Sequence, residues 1–422
     1  MNETQNNEKE RVILIGCQLP KNDDESFQYS MEELASLTKT ANGEVLATLT
    51  QKRERRHPAT YIGKGKLEEL VQLEEELEPD IIICNGELSP SQNRNLSKVL
   101  NARIIDRTQL ILDIFAQRAN SKEGKLQVEL AQLQYLLPRL TGKGVELSRL
   151  AGGIGTRGPG ETKLESDRRH INRRIVDIKQ QLSSIVSHRE RYRNHRKKNQ
   201  AFQLSLVGYT NAGKSTIFNR ITEAGAFEEN LLFATLDPTT RKISLPSGFQ
   251  ALLTDTVGFI QDLPTSLIAA FRSTLEEVTQ ADLILHIVDS SSPDHANHEK
   301  TVDKLLKEIG VEGIPILTIY NKKDNVSESF VPSYNEEMMH ISAFNKSDIA
   351  ELIRKIETLI QREMNPYTIL VSSSEGKLIS RLKQETIIQD TEFIEDKDSY
   401  RIEGYSFENS KLAVEIKTRT QS

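Results

Sequence analysis

The sequence predicts an α/β fold class. In chain order, we expect a small α/β domain, an antiparallel helical hairpin, a doubly wound sheet domain and a small α+β domain. Three observations predict this fold. Short β-branched runs alternate with helix-like stretches in the first 107 residues and again after residue 200. Two sets of leucine or isoleucine repeat at heptad spacing between those regions. A glycine-containing loop at residues 208–215 connects an apolar, strand-like run to a helix-like run.

The length of the chain supports several domains. At 422 residues it exceeds one ordinary core, and two to four domains are expected. We expect an N-terminal α/β domain, a basic helical hairpin with a glycine-rich tip loop at 141–160, the doubly wound domain and a C-terminal α+β domain, at residues 1–107, 108–198, 199–364 and 365–422.

The amino terminus and the cysteines point to a cytoplasmic protein. MNETQNNEKER lacks the apolar core of a signal peptide, and no apolar run approaches the roughly 18 residues of a membrane span. Cys17 and Cys84 follow apolar runs without CxxC spacing, so we expect both to be buried, reduced thiols. We therefore predict a cytoplasmic location without stable membrane insertion.

The N-terminal region contains the runs RVILIG, EVLATL, DIIIC and ARIIDRT, which are short and β-branched as in buried strands. Helix-like stretches separate them, so a largely parallel sheet is expected. In YIGKGKLEEL, residues 63–66 precede a helix start and allow a weak phosphate-site interpretation. A tight strand-to-helix turn is the favoured interpretation.

Two heptad stripes predict the hairpin. Their members are Leu126, Leu130, Leu133, Leu137 and Leu140 in the first set and Ile171, Ile175, Ile178, Leu182 and Ile185 in the second. Equal lengths and matching spacing favour pairing of the two helices with each other, although either stripe could pack on a neighbouring domain.

The glycine-rich stretch AGGIGTRGPG lies between the two stripes. No strand precedes it, so it does not match the strand-loop-helix setting of a phosphate loop. We interpret it as an exposed probe whose backbone approaches a partner closely. From Gly142 to Gln200 there are fifteen Lys and Arg against six Asp and Glu. This excess suits an RNA backbone, and the expected RNA contacts are Arg157, Arg168, Arg169, Arg173 and Arg174.

The run QLSLVGYTNAGKST carries the first chemical motif. Gly208-x4-Gly213-Lys214-Ser215 follows an apolar strand and precedes a helix, which is the setting of a P-loop. Backbone amides of residues 209–215 are expected to bind the α- and β-phosphates, and Lys214 to reach the β- and γ-phosphates. The Ser215 hydroxyl suits Mg²⁺, which prefers oxygen ligands.

Two later motifs predict a guanine nucleotide. ALLTDTVGF ends a strand at Asp255, which suits Mg²⁺ binding through water, and the Gly258 amide can contact the γ-phosphate. ILTIYNKKD ends in Asp324, whose carboxylate can accept from guanine N1–H and N2–H₂. Adenine has no such donor pair, so GTP is expected rather than ATP. Within HISAF, a backbone amide of residues 342–344 is expected to meet guanine O6.

The stretch LLFATLDPTTR contains our candidate for the switch-one threonine, Thr235, with Thr239 and Thr240 as competitors. Catalytic roles are assigned to Lys214, Thr235, Asp255 and Gly258, and Mg²⁺ ligation to Ser215 and Thr235. The full set expected to contact nucleotide is Gly208, Tyr209, Thr210, Asn211, Ala212, Gly213, Lys214, Ser215, Thr216, Phe233, Ala234, Thr235, Leu236, Asp237, Asp255, Thr256, Val257, Gly258, Asn321, Lys322, Lys323, Asp324, Ser342, Ala343 and Phe344.

One position departs from the Ras-like pattern. In Ras-like enzymes a glutamine follows the DxxG glycine and orients the attacking water. In this chain the residue that follows Gly258 is Phe259. Gln261 lies two positions further on, but no sequence rule places its side chain. We therefore expect slow intrinsic hydrolysis that a partner, or a potassium ion, must complete.

The motifs GYTNAGKST, FATLDPTTR, DTVGFI and NKKD resemble those of the HflX family of ribosome-binding GTPases. The stretch RLAGGIGTRGPGETKLESDRR is similar to that family's hallmark, and the resemblance covers essentially the whole chain. It implies binding to the large ribosomal subunit near the peptidyl-transferase centre. It also implies splitting of stalled or hibernating 70S ribosomes, with ribosome-stimulated GTP hydrolysis controlling release.

The expected partners are the large ribosomal subunit and its RNA, without DNA, and a monomer is expected. Alternatives are a ribosome-assembly GTPase, which would prefer immature subunits, and an RNA-remodelling ATPase acting through the N-terminal region. Some members of the family are reported to bind ATP there. A membrane or protease regulator that uses GTP as a switch is a further alternative, but no lipidation motif supports it.

Overall fold

The computed structural model describes residues 9–140, 159–198, 201–222, 232–233, 236–261, 277–326, 330–333 and 337–420. Within the helix at 159–198, side chains are described for residues 165–185. The chain divides into two compact units, one containing residues 1–186, 229–237 and 262–272 and the other containing the rest.

The N-terminal unit is built on a four-stranded parallel sheet of order β2-β1-β3-β4. Its strands are β1 (Glu10–Gln18), β2 (Gly43–Lys52), β3 (Ile81–Cys84) and β4 (Arg103–Asp106). The helices along it are α1 (Asp24–Thr40), α2 (Lys64–Leu77), α3 (Pro90–Leu96) and α4 (Arg107–Arg118). The interiors of β1 and β3 are buried on both faces, as the β-branched runs predicted, whereas the edge strand β2 is mostly half-buried or exposed.

Side-chain caps define where the helices of this unit begin. Asp23, Ser89 and Asp106 each accept a hydrogen bond from a backbone amide in the first turn of α1, α3 and α4, respectively. At α2 the Gly63 amide donates to the Gln51 side chain at 2.8 Å. That amide therefore already has a protein acceptor. The tight strand-to-helix turn expected here is wrong, because β2 ends at Lys52 and α2 begins only at Lys64.

Two helices follow in the region predicted to be the hairpin. They are α5 (Lys122–Leu136), followed by a 3₁₀ turn at Leu137–Leu140, and the 40-residue α6 (Pro159–Lys198). Ile175 and Ile178 of the second stripe are buried, and the Arg174 guanidinium binds the Glu129 carboxylate at 2.6 and 2.7 Å. Helix α6 begins at Pro159, and proline is well suited to a first helical turn. Residues 141–158 of the predicted tip loop lie outside the described residues.

The second unit contains a six-stranded sheet of order β10-β9-β8-β5-β7-β6, parallel except for the β6–β7 pair. Its strands are β5 (Phe202–Gly208), β6 (Thr239–Ser244), β7 (Gln250–Asp255), β8 (Leu283–Asp289), β9 (Ile316–Asn321) and β10 (Met338–His340). Its helices are α7 (Lys214–Thr222), α8 (His295–Glu308) and α9 (Lys346–Arg362). The expected doubly wound α/β fold is confirmed.

The C-terminal part of this unit is a small α+β structure. An antiparallel sheet of order β11-β13-β12 contains β11 (Asn365–Ser372), β12 (Ile387–Ile394) and β13 (Ser399–Ser406). Helices α10 (Gly376–Glu385) and α11 (Lys411–Thr420) accompany it. Ile369, Leu382, Ile402 and Leu412 form part of its own apolar core. None of the helices in the described part of the chain combines the length and apolar character that crossing a bilayer requires.

Candidate nucleotide-binding site

The predicted P-loop connects β5 to α7, and two of its glycines are required by close contacts. A Cβ atom at Gly208 would lie 2.2 Å from the Ile287 carbonyl oxygen. Gly213 has a φ of 97°, and a Cβ there would lie 2.2 Å from the Asn321 amide nitrogen. Any larger residue at either position would displace the loop, so the loop conformation depends on glycine.

Lys214 is buried at the start of α7. Its Nζ donates to the carbonyl oxygens of Gly208 at 3.0 Å and Tyr209 at 2.8 Å, so the side chain folds across the loop. Burial lowers the pKa of Lys214 from 10.5 to about 8, while the nearby Asp255 carboxylate acts in the opposite direction. The free site therefore holds a cation that is poorly solvated and available to phosphate oxygens.

The two groups expected at the Mg²⁺ site lie together. Ser215 Oγ donates to an Asp255 carboxylate oxygen at 2.8 Å, at the point where β7 ends. Asp255 is 3% exposed. A hydroxyl and a buried carboxylate at one strand end are hard oxygen donors of the kind that Mg²⁺ prefers, so the residues fit this ion.

The pKa of Lys214 predicts a pH dependence of nucleotide affinity. Phosphate oxygens raise a lysine pKa, so binding at a pH above 8 requires proton uptake. We expect affinity for GDP to be constant below about pH 7.5 and to fall by up to about tenfold per pH unit above pH 8. The free energy of unfolding, in contrast, is expected to rise with pH between pH 8 and 10.5. In that range the unfolded chain retains the lysine proton that the folded chain has lost. Calorimetry at about pH 8.5 in buffers of different ionisation enthalpy measures the uptake, and its absence would contradict this assignment.

The DTVG turn packs directly on the P-loop. Phe259 donates its amide hydrogen to the Gly208 carbonyl at 3.1 Å and accepts from the Thr210 amide at 2.7 Å. A Cβ at Gly258 would lie within 3.1 Å of both Thr210 and the Lys214 Nζ atom. The Gly258 backbone thus lies beside the lysine expected to bind the γ-phosphate, and its own contact with that phosphate stays a prediction.

The side chains after this turn are directed into the protein. Phe259 is 2% exposed. Gln261 donates its amide hydrogen to the Tyr209 hydroxyl at 2.8 Å and its side-chain amide to Asp294 at 3.1 Å. The Tyr209 ring stacks on His298 at 3.8 Å, and burial lowers the pKa of that histidine to about 4, so it is neutral. Phe259 is thus an apolar, buried side chain, and the Gln261 side chain is bonded to Asp294.

Asn321 connects the segments that are expected to bind the guanine base. Its side chain donates to the Ala212 carbonyl at 2.9 Å and accepts from the Ala343 amide at 3.0 Å, which joins three motifs far apart in the sequence. A hydrogen bond from the Ser342 side chain lowers the pKa of Asp324, so this carboxylate is ionised at neutral pH. Lys322 pairs with Asp289 at 2.7 Å, a contact that motif reasoning did not identify.

The FATLDPTTR segment is the part of the site where sequence reasoning was least informative. Ala234 and Thr235 lie outside the described residues, so the switch-one role of Thr235 stays a prediction. The competitor Thr240 lies in β6, where its hydroxyl bonds to that of Thr254 at 3.0 Å. The side chains of Phe233 and Asp237 contact α4 and the start of α5, and their expected nucleotide contacts stay predictions.

Comparison with known proteins agrees with the geometry. Three family models match consecutive parts of the chain: a GTP-binding GTPase N-terminal model at residues 28–116, a GTP-binding GTPase middle-region model at 118–196 and a 50S ribosome-binding GTPase model at 203–322. The crystal structure of SsGBP in complex with GDP is similar at a TM-score of 0.50 and 26% identity, and the match covers 84% of this chain and 99% of that one.

Curated relatives extend the similarity to full length. GTPase HflX of Alkalihalophilus pseudofirmus is 56% identical over 410 residues, which is 97% of each chain. GTPase HflX of Escherichia coli is 40% identical over 400 residues, which is 93% of each chain. The P-loop, the DTVG turn and the NKKD strand end lie on one sheet, and these relatives match nearly the whole chain. The chain therefore belongs to the HflX family of GTPases, which hydrolyse GTP.

Proposed function

We propose that this GTPase binds the large ribosomal subunit and splits stalled or hibernating 70S ribosomes, and that ribosome-stimulated GTP hydrolysis controls its release. The observation that carries the proposal is the match of residues 203–322 to a family described as 50S ribosome-binding GTPases. The glycine-rich stretch and the basic helix α6 directly precede that domain in the sequence, and the excess of Lys and Arg there suits ribosomal RNA.

Helix α6 supports RNA contact through exposed arginines. Arg168, Arg169 and Arg173 are exposed, and Arg169 has an ion pair with Glu165 one turn away at 3.7 Å, which is worth little in water. Arg174 is engaged differently, because two of its three guanidinium nitrogens bind the carboxylate of Glu129 in α5. We therefore propose that Arg168, Arg169 and Arg173 make most of the contacts between helix α6 and RNA phosphates.

The protein residues that act on GTP follow from the site. The amides of the P-loop and the Lys214 cation bind the phosphates, and the Asp324 carboxylate selects guanine. Mg²⁺, when held by Ser215 and Asp255 with Thr235, would neutralise charge on the β- and γ-phosphates. Since Gln261 is bonded to Asp294 and Phe259 is buried, a ribosomal partner or a potassium ion is expected to complete the arrangement around the attacking water.

The proposal is tested by GTP hydrolysis with separate large subunits, small subunits and intact 70S ribosomes at two salt concentrations. Strong, salt-sensitive stimulation by the large subunit and conversion of 70S particles into subunits would support it. Preference for immature subunits without splitting would replace it with a role in ribosome assembly. No stimulation by any particle would overturn it.

Arg157 is predicted to be the deepest RNA contact of the glycine-rich stretch, although it lies outside the described residues. Arg157→Ala is expected to lower ribosome-stimulated hydrolysis by about tenfold or more, because a guanidinium-phosphate contact is a strong, charge-assisted bond. GDP affinity should be unchanged. Arg354→Ala, on the exposed face of α9, is the matched control. Unchanged stimulation in Arg157→Ala would show that this residue does not sense the ribosome.

A further inference from the structure

Asp289 and Ser290 lie at the carboxyl end of β8, beside the strand end that carries the NKKD motif. Asp289 is the last residue of β8 and is in register with Asn321, the last residue of β9. Parallel strands bring the residues that follow them to one edge of the sheet, so these two strand ends can contact each other. Neither Asp289 nor Ser290 belongs to a motif identified from the sequence.

Lys322, the residue after Asn321, has a backbone conformation that depends on its surroundings. Its φ of 65° and ψ of 34° lie in the left-handed region, which is uncommon for residues other than glycine and persists only where contacts determine it. Lys322 precedes a 3₁₀ turn at Lys323–Asn325, and its carbonyl accepts from the Asn325 amide at 2.8 Å. This turn contains Asp324, so the backbone at Lys322 determines where the Asp324 carboxylate is placed.

Asp289 supplies one of the contacts that hold Lys322. Its Oδ2 atom lies 2.7 Å from the Lys322 Nζ atom, and the two side chains are 17% and 25% exposed. Its Oδ1 atom accepts from the amide of Ser291 at 3.0 Å and from the Ser291 hydroxyl at 2.6 Å, which fixes the orientation of the carboxylate. A charge-assisted bond to an oriented, mostly buried acceptor holds a lysine more firmly than an exposed ion pair does.

Ser290 supplies a second contact on the same part of the chain. It is 2% exposed, and its amide and its hydroxyl both donate to the Asn321 carbonyl, at 2.9 and 2.6 Å. That carbonyl belongs to the peptide that joins Asn321 to Lys322. Two neighbouring residues at the end of β8 therefore restrain this peptide and the lysine side chain that follows it.

We propose that Asp289 is a positioning residue for guanine selection, because by holding Lys322 it fixes the turn that presents Asp324 to the base. Ser290 assists by fixing the peptide between Asn321 and Lys322. This role rests on the proposed function, in which the Asp324 carboxylate accepts from guanine N1–H and N2–H₂. An acceptor distinguishes one base from another only while supporting contacts hold it in one direction. Release of the turn therefore weakens the bond to the exocyclic amine and leaves the P-loop contacts with phosphate in place.

The affinities of GDP and inosine diphosphate, which lacks the N2 amino group, measure this role in the full-length protein without ribosomes. We expect the parent to bind GDP about tenfold or more tightly than inosine diphosphate, since the bond to a charged acceptor is lost. Asp289→Ala should bind GDP about tenfold more weakly and inosine diphosphate within about threefold of the parent. Loss of a negative charge by itself favours the binding of a polyanion, so weaker GDP binding has to come from positioning.

A double variant tests whether Asp289 acts through Lys322. Lys322→Ala should itself lower the preference for GDP, and Asp289→Ala added to it should cause no further loss, because the partner is already absent. The matched control is Asp282→Ala, which removes a carboxylate at the opposite end of β8. That carboxylate accepts from the Gln203 amide at 2.7 Å, and its removal should leave both affinities unchanged.

Ser290→Ala provides a milder variant, because the Asn321 carbonyl retains the bond from the amide of residue 290. Its preference for GDP should fall by about two- to threefold. An unchanged preference in Asp289→Ala and Ser290→Ala, or an equal loss of both affinities in Asp289→Ala, would overturn the positioning role alone. Equal affinities in the parent would overturn both this role and the proposed role of Asp324. No ribosome is present, so each of these failures is distinguishable from failure of the ribosome proposal.

Discussion

Asp324→Asn is expected to weaken GTP binding by about 10²- to 10⁴-fold, since one guanine hydrogen bond is lost, the other loses its charged acceptor, and the asparagine NH₂ group is left facing a guanine donor. The carboxylate is ionised because the Ser342 hydrogen bond lowers its pKa. It can therefore accept from guanine N1–H and N2–H₂ together. Asparagine presents one acceptor and one donor, which is the pattern that xanthine matches.

Competition binding with GTP, ATP and xanthosine triphosphate measures this change in specificity. The variant should gain xanthosine triphosphate binding as it loses GTP, while ATP stays weak. Asp390→Asn, at an exposed position of β12, serves as the control and should leave all three affinities unchanged. Loss of GTP without any gain of xanthosine triphosphate would indicate that the variant disturbs the loop rather than base recognition.

Lys214→Met is expected to lower GTP hydrolysis by at least about 10²-fold, because it removes the cation that stabilises charge on the transferring phosphoryl group. Methionine keeps most of the buried stem. The parent lysine has a pKa lowered from 10.5 to about 8, which corresponds to a cost of about 3 kcal/mol for its charged form in the folded site. The variant should therefore unfold at the same temperature as the parent or a higher one.

Single-turnover hydrolysis and thermal unfolding of the nucleotide-free proteins together test this prediction. Loss of activity with unchanged or raised stability would identify Lys214 as a residue kept for function at a cost in stability. A clear fall in unfolding temperature would instead show that its bonds to the Gly208 and Tyr209 carbonyls stabilise the loop more than burial of its charge destabilises it.

Motifs confined to a few consecutive residues were predictable because they combine chemistry with local conformation. The P-loop needs glycine at 213 for a positive φ, lysine at 214 for charge and a strand before it, and all of these can be identified in one short stretch. The strand ends at Asp255 and Asn321 were predictable for a related reason. Parallel strands bring their carboxyl ends to one edge, so polar residues there converge.

Side chains that depend on distant packing were not predictable. No sequence rule placed the side chain of Gln261, and the structure shows it bonded to Asp294, with its backbone amide bonded to the Tyr209 hydroxyl. Phe233 and Asp237 were grouped with nucleotide contacts by their place in FATLDPTTR, yet their side chains contact Phe115 and Ser121, more than a hundred residues earlier. No periodicity or spacing in the sequence encodes those partners.

The family, the use of guanine nucleotide and the α/β architecture could therefore be inferred from local patterns, because hydrogen bonding, strand burial and phosphate chemistry act over a few residues. The attachment of the segment around Asp237 to α5, the neutral His298 stacked on Tyr209 and the depressed pKa of Lys214 could not. These features arise from burial and contact between segments far apart in the chain. Desolvation and hydrogen-bond partners are properties of the packed protein, and they exist only after the chain has folded.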